Sequence, residues 1–178
     1  RAVQDKIHSE NLTRVLYPSD STETGRELRF QQEYFFVSAS LQDILFRHAK
    51  THAGFDDLPE HVAIQLNDTH PALAVPELQR LLVDAHGLEW ERAWGIVTRV
   101  FSYTNHTLLP EALETWPVTF FADLLPRHLQ IVYRINHDFL AAVRHRHPGE
   151  EELVRRVSLV DEAGERLSLI HISEPTRQ

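Results

Sequence analysis

The apolar run His61-Val62-Ala63-Ile64 passes into Gln65-Leu66-Asn67-Asp68-Thr69-His70-Pro71 and then, from Pro76, into a Leu-rich helical pattern. This join constrains the chain more than any other stretch. The run predicts a short strand over 61–66. The helix is expected over 76–86, because Pro76 suits a first turn that needs no N–H and Gly87 suits the position just past the end. A strand feeding a helix is the building unit of an α/β fold, and ligands of open α/β sheets bind at the carboxyl ends of the strands. Asn67, Asp68, Thr69 and His70 therefore have two available uses. Their acceptors and donors can meet the hydroxyls of a ligand. They can equally form an Asx turn and a helix-entry cap.

Elsewhere the periodicity is mostly helical. Phe30, Tyr34, Val37, Leu41 and Ile44 fall on one face of a helix expected over 27–50, and Trp90, Trp94, Val97 and Phe101 on one stripe of a helix over 89–101. Pro110 opens a short helix running through Trp116. Pro126 opens a long one with Leu129, Val132, Tyr133, Phe139, Leu140 and Val143 inward, stopped by Pro148-Gly149. Residues 1–12 form a short amphipathic stretch, 15–21 a turn, 51–60 a loop, 150–156 one or two helical turns and 157–160 a strand. Repeats, low-complexity tracts and internal linkers are absent, so one helix-rich α/β unit is expected.

A second polar interruption, Ser102-Tyr103-Thr104-Asn105-His106-Thr107, repeats the logic of the first. It too ends an apolar segment and precedes a Pro-opened helix. A capped turn with a hydrogen-bonded His explains it alone, but two His-bearing joints within 40 residues favour a shared cleft. The later histidines offer less. His128 and His137 sit on a helix whose apolar face is already assigned, and His145-Arg146-His147 lies near that helix's end, where cations meet exposed carbonyls. None of these shows an i, i+4 His pair with a third ligand, so no metal site is expected. Isolated Gly25, Gly54, Gly87 and Gly95 make no phosphate loop.

Composition narrows the function. With 42% hydrophobic and 25% charged residues the chain reads as an ordinary globular unit, and no apolar run nears the roughly 18–20 residues that cross a bilayer. A net charge of −8 disfavours nucleic acid, whose affinity comes from clustered cations. Zero Cys agrees with a reducing compartment and a cytoplasmic location. The chain lacks Met and starts in helical pattern, so an internal piece of a longer protein is expected. Leu167 to Arg177 (LSLIHISEPTR) resembles a translated sequencing adaptor, so 1–166 is expected to carry fold and function and 167–178 to be a non-native tail.

The stretches QLNDTHPALAVPEL, SYTNHTLLPEALETW and LLPRHLQIVYRIN, with VLYPSD and RELRFQQEY, occur in order and at natural spacing over about residues 1–166. Together they resemble the α-glucan phosphorylases (glycogen, starch and maltodextrin phosphorylase). The resemblance implies a fragment of the N-terminal domain of a glycosyltransferase-B-like fold with two Rossmann-like domains. It also implies an enzyme that uses pyridoxal 5'-phosphate (PLP) and inorganic phosphate to release glucose 1-phosphate from α-1,4-glucan ends with retention. His106 matches the residue that contacts the 6-hydroxyl and ring region of the reacting glucosyl unit, with Asn105 beside it. Asp68 and His70 match the acceptor side of the cleft, and Arg29 and Glu114 match polar positions lining the adjoining pocket. Asp20 and Ser21 fall on the mobile gate loop; many members carry Asn where Ser21 stands, so the contact of that amide does not carry over. The family's PLP-binding Lys lies in a C-terminal domain absent here, and Lys6 and Lys50 do not match it. The parent is expected to be a cytoplasmic homodimer and this chain alone to be inactive. The competing reading is a non-catalytic helical glucan-binding module.

Overall fold

The computed structural model describes residues 2–14, 18–19, 21–106, 114–161 and 166–168. Helix α1 (Ala2–Arg14) leads into α2 (Glu23–Ala49), the longest element. Thr22 caps α2: its side chain accepts the Gly25 amide at 3.1 Å, satisfying one of the orphan donors of the first turn. The predicted face is the buried one. Phe30, Val37 and Leu41 are buried, Tyr34 and Ile44 half-buried, and Leu45 extends the stripe. Phe30 anchors the core through edge and tilted contacts with Phe121 (4.8 Å) and Trp116 (5.1 Å).

A one-turn helix α3 (Leu58–His61), with Pro59 in its first turn, precedes β1 (Ile64–Asn67). The strand thus starts three residues later than its apolar run suggests, because His61 ends a helix. Next come α4 (Ala74–Arg80), continued by a π-helical turn Leu81–Ala85, and α5 (Trp90–Val100). Gly87 has φ +71° just past the π turn, a conformation that costs other residues. Helix α5 buries Ala93, Ile96, Val97 and Val100 and leaves Trp90 and Trp94 half-buried, so the inward stripe is rotated from the one expected.

The segment read as a polar interruption begins with a strand. β2 (Phe101–Thr104) follows α5 directly and pairs in parallel with β1, setting Ile64 against Phe101 and Asn67 against Thr104. A parallel pair needs a helical crossover, which α4 and α5 supply.

β3 (Thr115–Pro117) replaces the C-terminal end of the helix expected through Trp116; residues 107–113, including Pro110, lie outside the described residues. Trp116 has to reach Phe30, and an extended backbone presents it there. Helices α6 (Val118–Leu124), α7 (Pro126–Arg146) and α8 (Glu151–Arg156) complete the helical layer. Along α7, Ile131, Val132 and Ile135 face the core, whereas Tyr133 is exposed, contrary to expectation. The strand expected over 157–160 shortens to β4 (Val160–Asp161), because Leu153 accepts the Val157 amide and continues the α8 turn. β4 and β3 flank the antiparallel β5 (Arg166–Ser168). The chain is a helix-rich α/β unit as expected, and none of its described helices is long and apolar enough to cross a membrane.

Candidate functional site

Two loops leave the carboxyl end of the parallel pair side by side. The ladder continues one step past β1: the Asp68 amide donates to the Thr104 carbonyl at 2.9 Å. Gln65 Nε2 also donates to Thr104 Oγ1 at 2.5 Å. Asp68 then takes a left-handed φ of 68°, a region where Asp and Asn are enriched among L-residues. Its Oδ1 accepts the Thr69 amide at 2.8 Å. Buried Thr69 begins a series of tight turns, with the Ala72 amide on its carbonyl at 2.9 Å, and these run into α4. Asp68 Oδ1 thus holds the backbone of the next residue while its half-buried carboxylate remains at the strand end.

From the other strand, His106 Nε2 hydrogen-bonds Asn67 Oδ1. An amide oxygen only accepts, so Nε2 carries a proton in this bond. His106 and Asn105 are exposed, and His70 is half-buried.

A third component comes from α2 and the residue before β3. Arg29 Nε lies 3.4 Å from Glu33 Oε1, and Arg29 Nη2 lies 3.4 Å from Glu114 Oε1. Burial pushes the Glu33 carboxyl up to about 9, and the neighbouring Glu114 adds to this while Arg29 opposes it. Burial likewise raises Glu114, against the pull of Arg29 and His70 and with a smaller push from Asp68. Glu33 Oε2 and Glu114 Oε2 are both buried where no N–H or hydroxyl of the described residues reaches them, yet the two carboxyls face each other. One shared proton resolves both facts, making a carboxylic acid next to a carboxylate and a guanidinium. Arg29, Gln32, Glu33, Phe36, His70 and Pro71 line a pocket of about 230 Å³ beside this cluster. Among its described lining residues Arg29 is the one permanent cation, and it faces two carboxyls. The pocket thus has no surplus positive charge for an anion, and most of its exposed lining is apolar, with Phe36, Val37 and Pro71 among its residues.

α4, which the Asp68 turn enters, is held by a buried charge network. Glu77 accepts from Ser38 Oγ (2.7 Å), Arg80 Nε (2.7 Å) and His128 Nε2 (2.6 Å), joining α2, α4 and α7. Burial alone would raise the Glu77 carboxyl, but these hydrogen bonds outweigh it and hold the group down at about 2.

Of the residues singled out from the sequence, Asp68, His70 and Arg29 each act on Glu114, and His106, with Asn105 before it in the chain, is tied to the end of β1 through Asn67. Ser21 stands apart at the entry to α2, its Oγ 2.7 Å from Ser19 Oγ. Asp20 lies outside the described residues. Glu33 was not anticipated, and Asn67 was expected only as one of the four polar residues after the strand. The Arg29–Glu33 spacing of four was a legible hint, since such residues are neighbours on a helix. Lys6 pairs with Glu10 at 3.7 Å and Lys50 sits 4.3 Å from the Phe46 ring centroid, so neither faces the cluster, and these residues do not fit a PLP site.

Residues 1–174 match the family model described as carbohydrate phosphorylase. The chain is 58% identical over 165 residues to a glycogen phosphorylase of Pasteurella multocida, covering 93% of this chain and 20% of that protein. It is 54% identical over 165 residues to one from Synechocystis sp. (93% and 19%). With the muscle form of glycogen phosphorylase from Ovis aries it shares 52% over 181 residues (97% and 22%). The chain thus spans about a fifth of the length of these relatives.

Proposed function

We propose, from the premise that the chain belongs to the carbohydrate phosphorylase family, that it supplies the sugar-facing wall of an α-1,4-glucan phosphorylase. The parent enzyme releases glucose 1-phosphate from glycogen or maltodextrin with inorganic phosphate. Its fold is glycosyltransferase-B-like with two Rossmann-like domains, it acts in the cytoplasm as a homodimer, and its PLP and phosphate-binding cations belong to the C-terminal domain. The observation that carries the reading is the convergence of the Asp68–His70 loop and the Asn105–His106 loop at the end of one parallel strand pair, beside Arg29, Glu33 and Glu114.

In this reading His106 orients the reacting glucosyl unit through its 6-hydroxyl as oxocarbenium character develops. The Asn67 bond that fixes the His106 ring supports that role, since a positioned ring loses less freedom on binding. Asp68, His70 and Asn105 grip the departing sugar, Arg29 and Glu114 line the adjoining pocket, and Asp20 and Ser21 belong to the gate over it. A pocket without net positive charge suits a neutral glucan on this side.

His106→Ala in the full-length parent tests the assignment. Phosphorolysis is expected to fall by about 10²-fold or more with PLP absorbance intact, in line with loss of a positioning contact; an unchanged rate would remove the assignment. The isolated chain is expected to release no glucose 1-phosphate from maltodextrin and phosphate, and detectable release would overturn its dependence on the missing domain.

A further inference from the structure

The end of α2 furthest from the Ser21 entry gathers three imidazoles around one carboxylate, on the stretch Arg47 to His61 that the proposed sugar site does not use. His48 and His52 are one helical turn apart, with rings stacked at 4.1 Å and 6°. His61, at the end of α3, brings its ring centroid to 4.4 Å from that of His52. Asp57, the residue preceding α3, lies between them: its Oδ1 is 3.1 Å from His48 Nε2, and its Oδ2 is 3.8 Å from His52 Nε2 and 3.6 Å from His61 Nε2.

We propose that His48, His52 and Asp57, with His61 closing the outer side, bind one divalent transition-metal ion of the zinc class. The spacing is the first argument. Donor atoms of His48, His52 and Asp57 all lie within 4.8 Å of one another. Zinc–nitrogen and zinc–oxygen bonds of about 2.0–2.2 Å in a tetrahedron put neighbouring donors about 3.3–3.5 Å apart. The three distances to Asp57 bracket that edge length. Tautomer is the second. His52 Nδ1 lies 3.1 Å from the His48 carbonyl, which only accepts, so Nδ1 carries the proton and Nε2 presents its lone pair toward Asp57. A backbone carbonyl behind a ligand imidazole is the support that fixes ring orientation at metal sites. His48 Nε2 lies 3.1 Å from both the Gly54 carbonyl and Asp57; metal uptake replaces these bonds, with the ring proton carried on Nδ1 instead. Access is the third. His48, His52 and His61 line a cavity of about 400 Å³, with His48 as the buried inner wall, and His61 and Asp57 are half-exposed. Arg47, which lines the same cavity, is held by Asp43 at 2.8 Å. The third and fourth ligands come from a loop and a separate short helix, which is why His–x₃–His alone does not announce the site.

The test uses the full 178-residue chain with ZnCl₂ alone, MgCl₂ as the hard-cation control, and Co²⁺ as the spectroscopic probe. One equivalent of Zn²⁺ is expected to bind by calorimetry and raise Tm where Mg²⁺ does not, and Co²⁺ is expected to show the visible absorption of a tetrahedral ion. His52→Ala and Asp57→Asn, both at accessible positions, should each weaken zinc binding by more than about tenfold, the low end of the cost of losing even a supporting group. They should also abolish the cobalt spectrum with helicity by circular dichroism retained, whereas exposed His137→Ala should change none of these readouts. A zinc affinity equal in His52→Ala, Asp57→Asn and the unaltered chain, or no tetrahedral cobalt signal, would overturn the site.

Discussion

The Asp68 amide and the Thr104 carbonyl, 2.9 Å apart, form the last rung between β1 and β2, and both polar loops start from it. One residue later the two chains part. Asp68 turns away with φ 68° toward α4, and Asn105-His106 continues from β2 but is tied back by the His106–Asn67 bond. The distance between the two polar loops is therefore set by backbone pairing, and their side chains are displayed on a frame that cannot slide without breaking the ladder.

The positive φ of Asp68 yields the first prediction. A left-handed conformation costs an ordinary L-residue about 1–2 kcal/mol, and a β-branched one resists it most. Asp68→Val also loses the 2.8 Å bond to the Thr69 amide, a further ~1 kcal/mol. Asp68→Asn keeps both the turn preference and an acceptor. Urea denaturation should place Asp68→Val about 2–3 kcal/mol below the unaltered chain and Asp68→Asn within about 1 kcal/mol of it. Equal losses would remove backbone strain as the cause.

Much of this frame was legible because helices announce themselves. The face of α2, Gly87 past the π turn and Gly149 (φ +87°) past α7 follow from period and from the residues that tolerate such turns, whereas on α7 only Val132 of the residues expected inward is buried. Strand β2 was missed although Phe101 and Tyr103 alternate with Ser102 and Thr104. Four residues are too few for a period of two to outweigh the polarity of the adjoining Asn105-His106-Thr107. The Arg29–Glu33–Glu114 cluster was only half visible. Arg29 and Glu33 are four apart on α2, but Glu114 is 81 residues further on, and only the packing of Trp116 against Phe30 brings it in. Periodicity carries no information about such contacts. The histidine cluster was hidden for the same reason, since Asp57 and His61 lie in and beyond a loop.

Glu77 gives the second prediction. It is fully buried, and removing one member of a buried ion network costs about 3–5 kcal/mol because the remaining charge is stranded. Arg80 keeps 24% of its side chain exposed and can turn to water, so Glu77→Gln should cost about 2–4 kcal/mol in urea, toward the lower side of that range. The pH dependence has a definite sign. The folded carboxyl sits at about 2 against an ordinary 4.5, so its contribution is complete above pH 4.5 and is lost as pH falls toward 2. Glu77→Gln should accordingly lose least, relative to the unaltered chain, at the acid end. A loss independent of pH from 2 to 5 would contradict the network.

Gly25 gives the third, where two effects oppose each other. Ala is favoured over Gly inside a helix by about 1 kcal/mol. However, a Cβ at Gly25 would fall 1.9 Å from the Ser19 backbone carbonyl and 3.0 Å from Thr22 Oγ1, so the entry turn must move and the Thr22 cap is disturbed. Loss of a cap costs about 0.5–2 kcal/mol and overpacking about 1–3 kcal/mol, which together exceed the propensity gain. Gly25→Ala should lower the denaturation midpoint by the equivalent of about 1–3 kcal/mol, and a raised midpoint would show that the turn yields freely.

Glu33 gives the fourth, with the opposite pH sign from Glu77. Its folded carboxyl is raised to about 9 from an ordinary 4.5, first by burial and then by Glu114. Between those two values the unfolded chain releases a proton that the folded chain keeps, so stability is complete below pH 4.5 and falls as pH rises toward 9. One group of this kind sets a limiting slope of about 1.4 kcal/mol per pH unit. Glu33→Gln keeps the shape and a hydrogen-bond donor toward Glu114 but does not titrate. Its stability should therefore decline less steeply than that of the unaltered chain from pH 5 to 9, so that the variant is the more stable of the two at pH 9. Some slope should persist, because Glu114 is raised as well and now titrates beside a neutral amide. If urea midpoints of the two proteins run parallel across that range, the carboxyls do not share a proton, and the neutral donor assigned to this pocket is not there.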